Sequence, residues 1–158
     1  MVNVATLFQF KKVVIIANIY FSTSDRKTVI ELPILPEEMP DLSRTADNEE
    51  FKTFNNGNFN LPGTMGLISF SLDNFLPAYA DKYSWAKSQI NPYTLINFWA
   101  SNMSKKTPIR IITNRGDIKG LPSESLNLLI LVESMNWHDK RNGDVKYTIN
   151  FKEYRVFK

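Results

Sequence analysis

Leu126-Asn-Leu-Leu-Ile-Leu-Val-Glu-Ser-Met-Asn-Trp137, then His138-Asp-Lys-Arg-Asn-Gly143, then Asp144-Val-Lys-Tyr-Thr-Ile-Asn-Phe-Lys-Glu-Tyr-Arg-Val-Phe-Lys158, is the stretch that decides the class of fold. In its last part Val145, Tyr147, Ile149 and Phe151 alternate with Lys146, Thr148, Asn150 and Lys152. That period of two belongs to a strand with one face buried and one in water. The first part is β-patterned as well, and Asn142-Gly143 supplies the positive-φ chemistry of a turn. The two runs are therefore expected to pair as an antiparallel hairpin across a connection longer than two residues. After Phe151 the phase changes: Glu153 falls where an apolar residue is due, and Tyr154 and Val156 take the other parity. This predicts a bulge there, or a strand leaving one sheet for another.

Working outward, Pro108 to Thr113 is a short β-branched strand, and Asn114-Arg-Gly-Asp117 is a turn. Before it lies the one convincing helix, Pro92 to Lys105. Asn91 is placed to cap it, Pro92 occupies the tolerated first position, Lys105 and Lys106 complement the C-terminal dipole, and Pro108 forbids continuation. Ile96, Trp99 and Met103 with Leu95 form its apolar stripe. Phe75 to Ile90 has many aromatics without a period and reads as an ordered loop packed on the body. Thr64 to Leu72 alternates and should be a strand ending at Asp73-Asn74. Asp41 to Asn60 is polar and acidic, with Asn55-Asn-Gly-Asn58 a plain loop signal and a short strand near Phe51 to Phe54 weakly supported. Three prolines between Leu32 and Pro40 make an extended connector. Val4 to Phe10, Lys12 to Phe21 and Arg26 to Leu32 read as strands. The fold class is thus mainly β: antiparallel sheets forming a barrel or sandwich with one flanking α-helix.

Length and composition bound the function. At 158 residues the chain is expected to be one domain with a sizeable core. It has no cysteine and one histidine, His138, which removes disulfides and thiolate metal sites and leaves no ligand cluster. No cofactor or metal is expected. The longest apolar run, Val13 to Ala17, is too short for a bilayer, and no secretory signal opens the chain, so a soluble, non-secreted protein is expected. The sequon Asn102-Met-Ser104 and the adhesion-like tripeptide Arg115-Gly-Asp117 are short matches of the kind chance supplies. The net charge of +3 hides an asymmetry: residues 1–80 carry 6 basic and 9 acidic groups, residues 81–158 carry 13 and 7. Such a chain can stack acidic face to basic face in an assembly, or simply have solvated faces.

Catalysis finds little to stand on. Glu37, Glu38, Asp47, Glu49 and Glu50 are available for paired-carboxylate chemistry, but all lie in Pro-rich or polar segments. No nucleophile elbow or phosphate-cradling loop occurs, and six glycines are few for a nucleotide site. The chain is expected not to be an enzyme. A basic β-barrel binding single-stranded nucleic acid is the alternative, since 13% of residues are aromatic and the second half is basic. Stacking platforms need exposed aromatics, however, and Tyr147 and Phe151 share the parity of Val145 and Ile149. What is left from the residues alone is a β-rich scaffold or interaction module.

Gly143-Asp-Val-Lys-Tyr-Thr-Ile-Asn-Phe-Lys-Glu-Tyr-Arg155 resembles the closing strand of a family of baseplate hub and tube-adaptor tail proteins from contractile phages and phage-like injection systems. Three more segments agree in order: Leu32-Pro-Ile-Leu-Pro-Glu-Glu38, Gly66-Leu-Ile-Ser-Phe-Ser-Leu-Asp-Asn-Phe-Leu-Pro77, and the helix and strand from Asn91 to Arg110. Together they span roughly residues 28–155. The resemblance implies a fold related to tail-tube proteins and a structural role in the virion baseplate, after assembly in the host cytoplasm. The partners it implies are the tail tube, the hub and the spike, within a homo-oligomeric ring that is expected to be sixfold. Family members usually add a C-terminal LysM module; this sequence shows none, so peptidoglycan binding is not expected to carry over. Residues 1–25 exceed the usual family start and have no assigned role. Lys140 and Arg141, at the tip of the best-defined hairpin, are the candidate subunit interface.

Overall fold

The computed structural model describes residues 17–116, 119–121 and 124–158. The expected strand from Val4 to Phe10, the start of the Lys12 to Phe21 run, and Asp117 of the adhesion-like tripeptide lie outside the described residues.

Eight strands and one helix occur among the described residues: β1 Asn18–Thr23, β2 Val29–Glu31, β3 Glu49–Lys52, β4 Asn58–Leu61, β5 Ser69–Leu76, α1 Pro92–Lys105, β6 Ile109–Asn114, β7 Glu124–Asp139 and β8 Val145–Glu153. Six strands form one sheet in the order β2-β1-β6-β7-β8-β5, every neighbouring pair antiparallel, while β3 and β4 pair only with each other. The protein is mainly β, as its alternating runs require.

The sheet is strongly curled. Phe21 on β1 stacks on Phe151 on β8 with ring centroids 5.6 Å apart, although β6 and β7 lie between those strands. A flat sheet would hold them about 14 Å apart. Among the described residues the two ends, β2 and β5, do not pair with each other and no closed barrel forms. The hollow is filled by α1: Trp99 packs edge-on to Phe21 at 5.2 Å and against Tyr147 at 5.1 Å. Leu95 and Ile96 join Ile19, Leu72, Ile109, Ile111, Ile130, Val145 and Ile149 in the same core.

The helix forms where its capping residues place it. The Asn91 side chain accepts a hydrogen bond from the Tyr93 N–H, and Lys106 ends the helix in the left-handed conformation. Met103, expected on the buried stripe, is instead exposed in the last turn of α1, in a shallow hollow shared with Leu131 and Val132.

Three boundaries differ from expectation. The strand expected over Thr64 to Leu72 is Ser69–Leu76, because β8 offers partners along its whole length and Asn74 turns its amide outward to the Ile34 carbonyl at 3.0 Å. The weak strand near Phe51 is β3, paired to β4 across the Asn-Gly turn. The phase change expected after Phe151 lies on β7 instead: the register shifts between Val132 and Ser134, leaving Glu133 as the extra residue. Up to that bulge β7 turns its even-numbered residues to the core, and after it Met135 faces Ile149. Glu153 keeps the inward parity of β8 and is buried.

Candidate functional site

The hairpin tip that carries Lys140 and Arg141 spans residues 140–144, between Asp139 and Val145. The Lys140 N–H donates to the Asp144 carbonyl at 2.6 Å and the Gly143 N–H to the Lys140 carbonyl at 2.9 Å. Gly143 has φ +90, a conformation that favours glycine, and a Cβ there would press on Ala78 at 3.1 Å. The turn is therefore both tight and packed against the loop that follows β5.

Asp144 fastens it. Its buried carboxylate accepts from Lys82 Nζ at 2.8 Å, the Ala78 N–H at 2.9 Å, the Tyr83 hydroxyl at 2.7 Å and Asn142 Nδ2 at 3.1 Å. Burial alone would push this carboxyl up, but the hydrogen bonds from Lys82, Tyr83 and Ala78 outweigh it and hold it below the usual aspartate value. Asp144 in turn raises the Lys82 ammonium and the Tyr83 hydroxyl through the same bonds. Next to it, Asp139 accepts from the Tyr93 hydroxyl at 2.9 Å, tying the hairpin to the start of α1.

On this held tip the two candidate residues differ. Lys140 places Nζ over the Phe75 ring, 5.0 Å from its centroid, so part of its function is intramolecular. Arg141 is exposed and makes no hydrogen bond or ion pair among the described residues. The sequence named these two but gave no role to Asp144, Lys82 or Tyr83. Only the loop that folds back after β5 brings them together.

At the opposite end of β8 lies a second ionic clamp, to which the sequence reading assigns no role. Glu153 accepts from Arg44 Nη2 at 3.0 Å, the Ile68 N–H at 2.9 Å and Arg155 Nε at 3.1 Å. Burial pushes this carboxyl up; the Ile68 N–H and the two arginines more than reverse that, leaving it lowered. Arg155 also donates to the carbonyls of Met65 and Gly66. The signal was present as an acid at a core parity, which marks a buried, paired charge as readily as a strand that ends.

The chemistry of both clusters is that of fastening, with each acid surrounded by donors. Among the described residues no group of three or more His, Cys, Asp and Glu side chains is arranged to hold a metal ion, and no helix is long and apolar enough to cross a membrane.

No family model matches the sequence, and no curated protein matches it. Among solved structures, the chain is similar to a chain of the anti-feeding prophage (AFP) baseplate, determined by cryo-EM and 6-fold symmetrised. The similarity covers 88% of this chain and 89% of that one, with a TM-score of 0.51 and 11% sequence identity. At that identity what the two share is the fold: the curled antiparallel sheet with its helix is the architecture of a baseplate chain over nearly its whole length.

Proposed function

We propose that the protein is a structural subunit of the baseplate of a phage tail or phage-like injection system, adapting the tail tube to the central hub and spike. It acts in a homo-oligomeric ring, sixfold by the family resemblance, and its role is scaffolding without a catalytic step. The observation that supports this reading is the fold shared over 88% of the chain with a baseplate chain. Four sequence segments in the family's order support it independently. On this reading Arg141, with Lys140 behind it, meets an acidic surface of a neighbouring subunit. The turn suits that task because Asp144 and Gly143 hold it rigid, so little side-chain and loop ordering is left to oppose association.

The nucleic-acid alternative loses its platform, because Tyr147 and Phe151 are each only 1% exposed. Cryo-EM of the assembled particle tests the proposal. The chain is expected on the central axis, between tube and spike, with Arg141 at a subunit boundary. An off-axis position, or absence from purified particles, would overturn it; sub-micromolar oligonucleotide binding that persists at physiological salt would favour the alternative.

A further inference from the structure

β5 is an end strand of the main sheet, and one stretch of its free edge is left unpaired. The Ser43 N–H donates to the Ser69 carbonyl and the Ser69 N–H to the Ser43 carbonyl, both at 2.9 Å, so Ser69 turns its backbone groups away from β8. In an antiparallel ladder alternate residues face the same side, which turns the N–H and C=O of Ser71 and Asp73 outward as well. Neither backbone meets a partner on that side among the described residues. Further along, Asn74 Nδ2 donates to the Ile34 carbonyl at 3.0 Å. The open stretch therefore runs from Phe70 to Asp73, about 13 Å of strand between two pins.

The chain between those pins is the proline connector, and it passes the edge without pairing. Pro36 and Pro40 have no N–H to donate. The connector stands off instead, leaving a groove of about 360 Å³ lined by residues 36–41 on one side and by Ser71, Leu72 and Asp73 on the other. Ser71 and Asp73 are exposed. A connector that merely covered the edge would lie against it and leave no groove.

The groove has one sign of charge. Glu37, Glu38, Asp41 and Asp73 line it and no basic side chain does. None of these acids is in an ion pair among the described residues. An open strand edge takes an extended segment through backbone hydrogen bonds, and carboxylates on both walls select a basic one. The basic turns of this chain suit the groove poorly. Arg26, Lys27 and Lys140 lie on turns whose backbone N–H groups are already bonded, to the Thr23 carbonyl, Asp25 Oδ1 and the Asp144 carbonyl respectively. Such a turn can bring a base to the carboxylates, but it leaves the edge unpaired.

We propose that the free edge of β5 binds an extended basic segment of a partner protein. The segment continues the line of Ser43, pairs its backbone with Ser71 and Asp73, and presents Lys or Arg side chains to Glu37, Glu38, Asp41 and Asp73. Binding of this kind rests on the edge and its groove, not on the baseplate reading.

The test titrates the full-length, nitrogen-15-labelled protein with a capped octapeptide of alternating arginine and valine, up to about 1 mM, enough to reveal weak binding. Amide shifts are expected at Ser71 and Asp73 and not in β6, and the same peptide with glutamate in place of arginine should cause none. N-methylation of the basic peptide at alternate residues removes the donors along one of its edges. In at least one of the two phases it is expected to weaken binding about tenfold, a loss that attraction between charges alone would not show. Glu37→Gln combined with Asp41→Asn should weaken binding about fivefold, with an unchanged melting temperature because both side chains are exposed. Undiminished binding by both N-methylated peptides, shifts confined to other surfaces, or no shift at the highest concentration would each overturn the proposal. Shifts at Ser71 and Asp73 that grow with protein concentration in the absence of peptide would give the groove to a second copy and overturn it as well.

Discussion

Phe21 and Phe151 stack at 5.6 Å with two strands of the same sheet between them. The contact measures how far the sheet curls, and Trp99 occupies the space the curl creates, 5.2 Å from one ring and 6.2 Å from the other. Trp99 is wholly buried.

Truncating either ring should therefore be costly and the two costs should be coupled. Phe21→Ala and Phe151→Ala are each expected to lose about 3–5 kcal/mol in urea unfolding. A double-mutant cycle should give a coupling of about 1 kcal/mol or more. Strict additivity would mean that the rings do not meet and that the sheet is flatter than described.

Stability should fall in acid through Asp144 and Glu153. Both carboxyls are lowered in the folded protein from 3.8 and 4.5 respectively. In the acid range the unfolded chain therefore binds more protons, and stability rises with pH. The contribution is fully present above those ordinary values and is lost as pH falls through the lower folded ones. The melting temperature is expected to stay level down to about pH 5 and then drop. Asp144→Asn should have a lower plateau and a shallower acid limb; an unchanged limb in both Asp144→Asn and Glu153→Gln would show that neither clamp forms.

Removing Glu153 should loosen the base of the β3–β4 hairpin before it unfolds the domain. Glu153→Ala leaves the Ile68 N–H without its side-chain acceptor and separates Arg44 and Arg155 from their shared partner. A loss of about 1–3 kcal/mol is expected. Amide exchange at Ile68 and at Gly66, whose N–H donates to the Thr45 carbonyl, should speed up more than exchange in β6. Uniform acceleration across the sheet would contradict a local clamp.

The base of the β3–β4 hairpin should not accommodate a side chain at Gly63 without opening. A Cβ there would lie 1.6 Å from the Asp47 carbonyl oxygen, whereas at Gly57 nothing lies within 4 Å. Gly63→Ala is expected to leave the melting temperature within about 2 °C, since β3 and β4 are exposed and add no core surface, but to raise exchange at the Asp47 amide about tenfold by opening its bond to Thr64. Gly57→Ala should leave exchange at the Asp47 amide unchanged, because nothing lies near its Cβ and its strain of about 1 kcal/mol stays in the turn. Equal effects at the two positions would mean that the strands do not cross closely at the base.

What the sequence determined by itself was the local grammar. Asn91, Pro92 and the lysines bounded α1, because capping and proline act within one turn. The alternation of Val145 to Phe151 fixed the inner face of β8, because a strand's side chains have a period of two wherever it pairs. The hairpin of β7 and β8 followed from the turn between them. The tertiary structure decided what depends on residues far apart in the chain. Glu153 read as the end of a pattern because Arg155 beside it does not bury a carboxylate by itself; the Arg44 guanidinium and the Ile68 N–H that complete its partners lie 109 and 85 positions away. The bulge went to Glu133 because only the pairing between strands can show which one carries an extra residue. The β3–β4 hairpin read as a polar segment with at most a weakly supported strand near Phe51 to Phe54, because the face shared by Glu49, Phe51, Phe59 and Leu61 exists only once β3 and β4 are in register. Periodicity reports a local geometry, whereas neutralisation, register and curl are properties of contacts between segments, and those form only when the chain has folded.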